Sequence, residues 1–93
     1  MNKAEKSLSR QVEIRNELGL HARSAARIAQ IAQTARSSVR ITRDDESVDA
    51  KSIIDMLTLA CGKGTRITVS VDANADIGVL DKIVTLVECG FGE

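Results

Sequence analysis

The sequence predicts an α+β fold of two layers, an open-faced sandwich in which a four-stranded antiparallel sheet carries three helices on one face. Three observations predict it. Each short apolar run that reads as a strand alternates apolar with polar residues, so every strand meets a core on one side and water on the other. The longer apolar segments repeat at three and four residues, the spacing of a helix with one buried stripe. Along the chain these segments follow as strand, helix, strand, strand, helix, strand, helix, which packs as one sheet under one helical layer.

Residues 1–9 are polar and without period and read as a flexible extension, leaving residues 10–93 as a single domain. From Gln11, Val12 and Ile14 alternate with Glu13 and Arg15 as the first strand, and Asn16 to Leu20 form a loop. Ala25, Ile28, Ala29, Ala32 and Ala35 then mark an amphipathic helix from about Ala22 to Ala35, whose small side chains suit close packing on a sheet. Val39 and Ile41, the turn RDDES, and Val48 and Ala50 make a hairpin. Ser52 with Asp55 three residues on resembles a capping box for a short helix that Gly62 stops. After Gly62 and Gly64, Ile67, Val69 and Val71 line the last strand. Asp72 or Asn74 caps the final helix, whose stripe is Ile77, Leu80, Ile83, Val84 and Val87 and whose end is Gly90.

Composition narrows the function. Ninety-three residues support one modest core, and that core is aliphatic because Phe91 is the only aromatic residue. Thirteen basic and thirteen acidic side chains cancel, so the overall charge asks for neither nucleic acid nor a membrane surface. Scarce aromatics also weaken a single-stranded nucleic-acid reading. Residues 1–46 hold nine Lys/Arg against six Asp/Glu, and residues 47–93 hold four against seven, which leaves room for a basic patch in the first half. No apolar run reaches the length of a membrane span, and MNKAEKSLSRQ lacks the apolar middle of a signal peptide, so a cytoplasmic protein without membrane insertion is expected. Cys61 and Cys89 form no CxxC pair and read as reduced thiols at helix ends. One histidine and no tight cysteine cluster argue against a metal, and no cofactor is expected.

The single histidine, His21, stands where the first loop meets the first helix. As the N-cap it adjoins the amides of Ala22, Arg23 and Ser24, which have no acceptor within the helix. Free amides and the positive helix end make an anion site, and Arg23 adds a forked, fully charged donor. The same positive field disfavours imidazolium, and a neutral ring nitrogen can take up a phosphoryl group that the amides and Arg23 then stabilise. The position also fits a plain structural cap, and residue chemistry alone leaves both readings open. Arg27, a turn further on, extends the basic face.

These residues carry a resemblance. The segment N-E-L-G-L-H-A-R-S-A-A from Asn16 resembles the active-site motif of the histidine-containing phosphocarrier (HPr) family of the phosphoenolpyruvate-dependent sugar phosphotransferase system. D-A-K-S-I-I-D-M-L-T-L from Asp49 is similar to that family's second signature, and Gly64 with I-T-V-S-V falls at its last strand. The similarity runs from about Gln11 to Glu93. It implies the βαββαβα fold. It also implies a carrier rather than a stand-alone enzyme. Phosphorylated enzyme I would charge His21 on Nδ1, as pros-phosphohistidine, Arg23 would stabilise the phosphoryl group, and enzyme IIA components would receive it.

Ser52 matches the serine that an HPr kinase/phosphorylase modifies in many members, although an N-cap role explains a serine there equally well. Arg27 and Met56 are the expected docking residues, with Met56 exposed and adaptable and Ile53 and Leu57 either beside it or in the core. A monomer is expected. One position departs from the family motif. Ser24 stands in place of proline, restoring an amide N–H and placing a hydroxyl near the proposed anion. A related regulatory protein, in which the phosphorylation state of His21 controls a partner rather than sugar uptake, is the alternative reading. A small ligand- or RNA-binding module is disfavoured by the charge balance and the scarce aromatics.

Overall fold

The structure, a computed structural model, describes residues 8–93. Its strands β1 (Ser9–Glu13), β2 (Val39–Arg43), β3 (Glu46–Asp49) and β4 (Arg66–Val71) form one sheet in the order β1-β4-β2-β3. Every neighbouring pair is antiparallel. The register sets Val12 opposite Ile67, Val39 opposite Val71, and Val69, Ile41 and Val48 in one row. All but the half-buried Val48 are buried, because period-two alternation sends these residues to the covered face. Gln11, Thr68, Thr42 and Ser47 align the same way on the other face.

Helices α1 (Ala22–Ala32), α2 (Ile53–Leu57) and α3 (Ile77–Glu88) form the second layer. Leu80, Ile83, Val84 and Val87 bury the stripe of α3, which lies along β1 and β4. Ala25, Ile28, Ala29 and Ala32 bury the stripe of α1. Its alanines bring it close to α2 and α3 rather than chiefly to the sheet, as the sequence suggested.

Several boundaries differ from expectation, each for a tertiary reason. Residues 1–7 of the expected extension lie outside the described residues, but Leu8 and Ser9 belong to the domain. Ser9 opens β1 opposite Ser70, and the Leu8 carbonyl accepts from the Val71 amide at 2.9 Å. Helix α1 stops at Ala32, not Ala35, as tighter bonds take over, Thr34 N to Ile31 O and Ala35 N to Ala32 O, both 3.0 Å. Beyond it the buried Asp76 carboxylate draws the chain across, accepting from the amides of Arg36 and Ser37 at 2.9 Å each and from the Ser37 hydroxyl.

Helix α2 ends at Leu57, well before Gly62, so Cys61 is a loop residue rather than a helix end. Ala60 takes the left-handed conformation, φ 53°, and Arg43 gathers the carbonyls of Leu59 and Ala60 at 2.6 and 2.9 Å. Only half of the capping box at Ser52 forms. Its hydroxyl accepts from Asp55 N at 3.2 Å, while its own amide turns back to the Asp49 carbonyl. Neither Asp72 nor Asn74 caps the final helix. A single 3₁₀ turn, Asn74–Asp76, precedes α3, and Asp72 instead pairs with Arg40 at 2.7 Å. Gly90, at φ 64°, does follow its end.

Candidate functional site

The loop before α1 is built to deliver His21. Gly19 has φ 68°, and a Cβ there would lie 2.4 Å from the Cys61 carbonyl oxygen, so only glycine fits. That approach lets the same carbonyl accept the Leu20 amide at 2.8 Å, which ties the loop to the segment after α2. His21 follows in extended conformation as the N-cap, its carbonyl accepting the Ala25 amide at 2.8 Å. Leu20 and Ala25 are both buried beside it, as a small hydrophobic staple requires.

Ser24 closes the corner. Its hydroxyl accepts the His21 amide at 2.9 Å and donates to the Gly19 or His21 carbonyl, each 3.1 Å away. With the His21 ring accepting from Arg23 N, this is a reciprocal cap in which serine does the work usually given to Glu or Gln. The expected hydroxyl beside the anion is therefore corrected: Ser24 is fully buried and its Oγ faces the loop.

The imidazole is a quarter exposed. Nδ1 accepts from the Arg23 amide at a loose 3.3 Å, while Nε2 lies 2.7 Å from Oε2 of Glu93. One neutral tautomer satisfies both contacts, with the proton on Nε2 and the lone pair on Nδ1. The lone pair on Nδ1 thus points at the first turn of α1, where the amides of Ala22, Arg23 and Ser24 lie. Glu93 is a carboxylate partner that the argument from the helix field alone did not contain. Its carboxyl is held below the ordinary glutamate range, by the Asn16 hydrogen bond first, then by His21, with a smaller contribution from the charge of Arg23.

Arg23 and Arg27 line a cleft of about 480 Å³ with Glu17, Leu18, Phe91, Gly92 and Glu93. A partly apolar cleft that sets two arginines and two glutamates beside an imidazole, at a helix N-terminus, has the donors a phosphoryl group needs. The profile described as "PTS HPr component phosphorylation site" matches residues 8–89.

The chain belongs to the HPr family.

Phosphocarrier protein HPr of Cupriavidus necator is 38% identical over 86 residues, 92% of this chain and 97% of that protein. A phosphocarrier protein NPr of Shewanella violacea is 36% identical over 86 residues, 92% of this chain and 94% of that one. The crystal structure of HPr-C-His from Thermoanaerobacter tengcongensis superimposes with a TM-score of 0.86 at 33% identity, covering 91% of this chain and 96% of that one. The α+β sandwich is the fold shared with that HPr structure, and the family is that of the phosphotransferase-system phosphocarriers.

Of the residues the sequence singled out, His21, Arg23 and the first-turn amides come together, and Arg27 lies at the same cleft. Its guanidinium donates to the Phe91 carbonyl, so it also anchors the turn that carries Glu93. Ser52 caps α2 beside a groove formed with Ala26, Ala29 and Gln33 of α1 and its end. Met56 is corrected: it is fully buried. Successive helical residues turn by about 100°, so once Met56 faces inward Ile54, two positions away, faces out, at 75% exposure, with Ile53 and Leu57 on the rim. These three are the exposed large apolar side chains of α2.

Glu93 and the pairing role of Asn16 were missed. Asn16 lay inside the quoted motif, but its partner is 77 positions away. Among the described residues, no group of three or more His, Cys, Asp or Glu side chains could hold a metal. No described helix is long and apolar enough to cross a membrane.

Proposed function

We propose that the chain accepts a phosphoryl group on Nδ1 of His21 from phosphorylated enzyme I and passes it to enzyme IIA components. The observation that carries this reading is the direction of Nδ1, turned onto the Arg23 amide at the open end of α1. A phosphoryl group there replaces that loose contact with charge-assisted bonds from the amides of Ala22, Arg23 and Ser24, and the Arg23 side chain covers its outer oxygens. The nitrogen–phosphorus bond forms without an activating base, because the reacting nitrogen already carries its lone pair. Partners dock on the exposed Ile53, Ile54 and Leu57 of α2 together with the basic residues Arg23 and Arg27, a pairing that favours acidic, apolar-centred surfaces.

Ser52 is the regulatory residue in this proposal. A phosphoryl group on its hydroxyl is tolerated by the helix start but sets a dianion beside the docking face, where it repels an acidic partner. Similarity to Crh, the Bacillus subtilis catabolite repression HPr, 34% identical and covering 86% of this chain, supports the regulatory alternative, in which charged His21 controls a partner.

Incubation with enzyme I and phosphoenolpyruvate is expected to leave an acid-labile label that His21→Ala abolishes. A native chain that takes up no label, or a variant that takes up as much, ends the carrier reading. Discharge to a sugar-specific IIA acceptor is expected for the transport role, and its failure with all such acceptors favours the regulatory one. An ATP-dependent, acid-stable label that survives Ser52→Ala removes Ser52 from the scheme.

A further inference from the structure

The carboxylate of Glu93 spans two partners. Oε1 accepts from Asn16 Nδ2 at 2.9 Å, and Oε2 takes the Nε2 position of His21 at 2.7 Å. Asn16 is 5% exposed, and its Nδ2 also donates to the Gly19 carbonyl at 2.8 Å. Its Oδ1 is buried with no partner. No flip of the amide relieves this, because Oδ1 would then face two acceptors, the Gly19 carbonyl and the Glu93 carboxylate. A buried carbonyl without a donor is destabilising, and it persists here because both amide hydrogens are committed, one to the loop that precedes His21 and one to the carboxylate that grips its ring. The turn that brings Glu93 in is itself unusual. Gly90, Phe91 and Gly92 have φ of 64°, 58° and 73°, and the Phe91 side chain is sunk in the core at 1% exposure.

We infer that Glu93, aimed by Asn16, is a positioning residue that fixes His21 in its Nε2–H tautomer and faces the positive charge the ring acquires when Nδ1 is phosphorylated. The second half of this inference rests on the carrier reading. With the proton held on Nε2, the lone pair is on Nδ1. As Nδ1 attacks, its lone pair forms the bond to phosphorus, the bond from phosphorus to the donor's leaving atom breaks, and that electron pair departs with the donor. Nε2 keeps its proton, so the ring becomes cationic opposite a carboxylate already in hydrogen-bond contact. On discharge the acceptor's nucleophile forms its bond to phosphorus as the phosphorus–Nδ1 bond breaks, and the electron pair of the broken bond returns to Nδ1, leaving the ring neutral again. The proton never leaves Nε2, so the cycle needs no external acid or base. Arg23 and Glu93 thereby divide the work, one on the phosphoryl oxygens and the other on the far side of the ring.

The test reads the ring nitrogens of the full chain by nitrogen-15 correlation spectroscopy under conditions where His21 is neutral. Native protein is expected almost wholly as the Nε2–H tautomer, Glu93→Ala as a mixture, and Glu93→Gln between the two, because its single amide oxygen can accept from only one of Asn16 and His21. Phosphoryl uptake from saturating enzyme I is expected to slow roughly threefold to tenfold in Glu93→Ala. In Glu93→Gln, which keeps the acceptor and loses the charge, the rate is expected to fall between the two. Identical tautomer populations in native and Glu93→Ala proteins overturn the inference. A shifted tautomer with unchanged uptake overturns the role in charge stabilisation. If the tautomer shifts and neither protein takes up label, the carrier reading fails while the positioning of the free ring stands.

Discussion

Ser24 stands where the family motif has proline, and its hydroxyl is committed inside the fold. A hydroxyl near the anion would have tuned phosphate binding; a buried one instead holds the His21 amide. Ser24→Ala is therefore expected to lower stability by about 1 kcal/mol, as loss of a cap does. Ser24→Pro removes the same hydroxyl, but proline is tolerated in a first helical turn. Transfer rates to each acceptor are expected to stay within about twofold of native in Ser24→Ala, which keeps all three first-turn amides, whereas Ser24→Pro also removes one of them and is expected to slow transfer to every acceptor alike. Denaturant midpoints and label-transfer rates check this, and a selective loss toward one acceptor would give Ser24 a part in partner choice. At this scale the sequence was most legible for His21 and Arg23, since a helix start is a local event. It was silent on Glu93, whose contact with His21 spans 72 positions and depends on how Phe91 packs.

Helix α2 shows what periodicity can and cannot convey. Its residues include four apolar side chains in five positions, so nearly any face could have been the buried one. The choice was made by contacts with α1 and β3, which take Met56 inward. Met56→Ala is accordingly expected to destabilise the protein by roughly 2–5 kcal/mol. Ile54→Ala is expected to change stability by no more than about 0.5 kcal/mol but to weaken partner binding, measured by titration with enzyme I. The opposite pattern would put the docking surface elsewhere. By contrast, β4 left no such ambiguity. Ile67, Val69 and Val71 alternate with Thr68 and Ser70, and only one face of a strand can hold all three. The ends of α1 and α2 were misplaced because Asp76 and Arg43, far off in sequence, gather the backbone groups there.

Across the whole molecule, Asp76 joins the exit of α1 to the entry of α3. Its carboxyl is held below the ordinary aspartate range, by the Ser37 hydroxyl first and then by the Arg36 amide. A carboxyl depressed in the folded state contributes stability that is present above its unfolded value and lost as pH falls through its folded one. The acid limb of the stability curve, below about pH 4, is thus expected to flatten in Asp76→Asn, which is also less stable at neutral pH. Chemical denaturation across that range checks both, and an unchanged acid limb would remove Asp76 as its cause. Long-range closure of this kind gives the fold its compact helical layer, and no local pattern announces it.

The junction between Cys61 and the loop before His21 has a different consequence. The carbonyl of Cys61 holds Leu20, while its thiol is buried and its ionisation pushed up chiefly by that burial. Cys89, in contrast, is exposed. A thiol reagent therefore meets one cysteine at once and must wait for the other, and the length of that wait is a built-in clock for how often the floor beneath the histidine loosens.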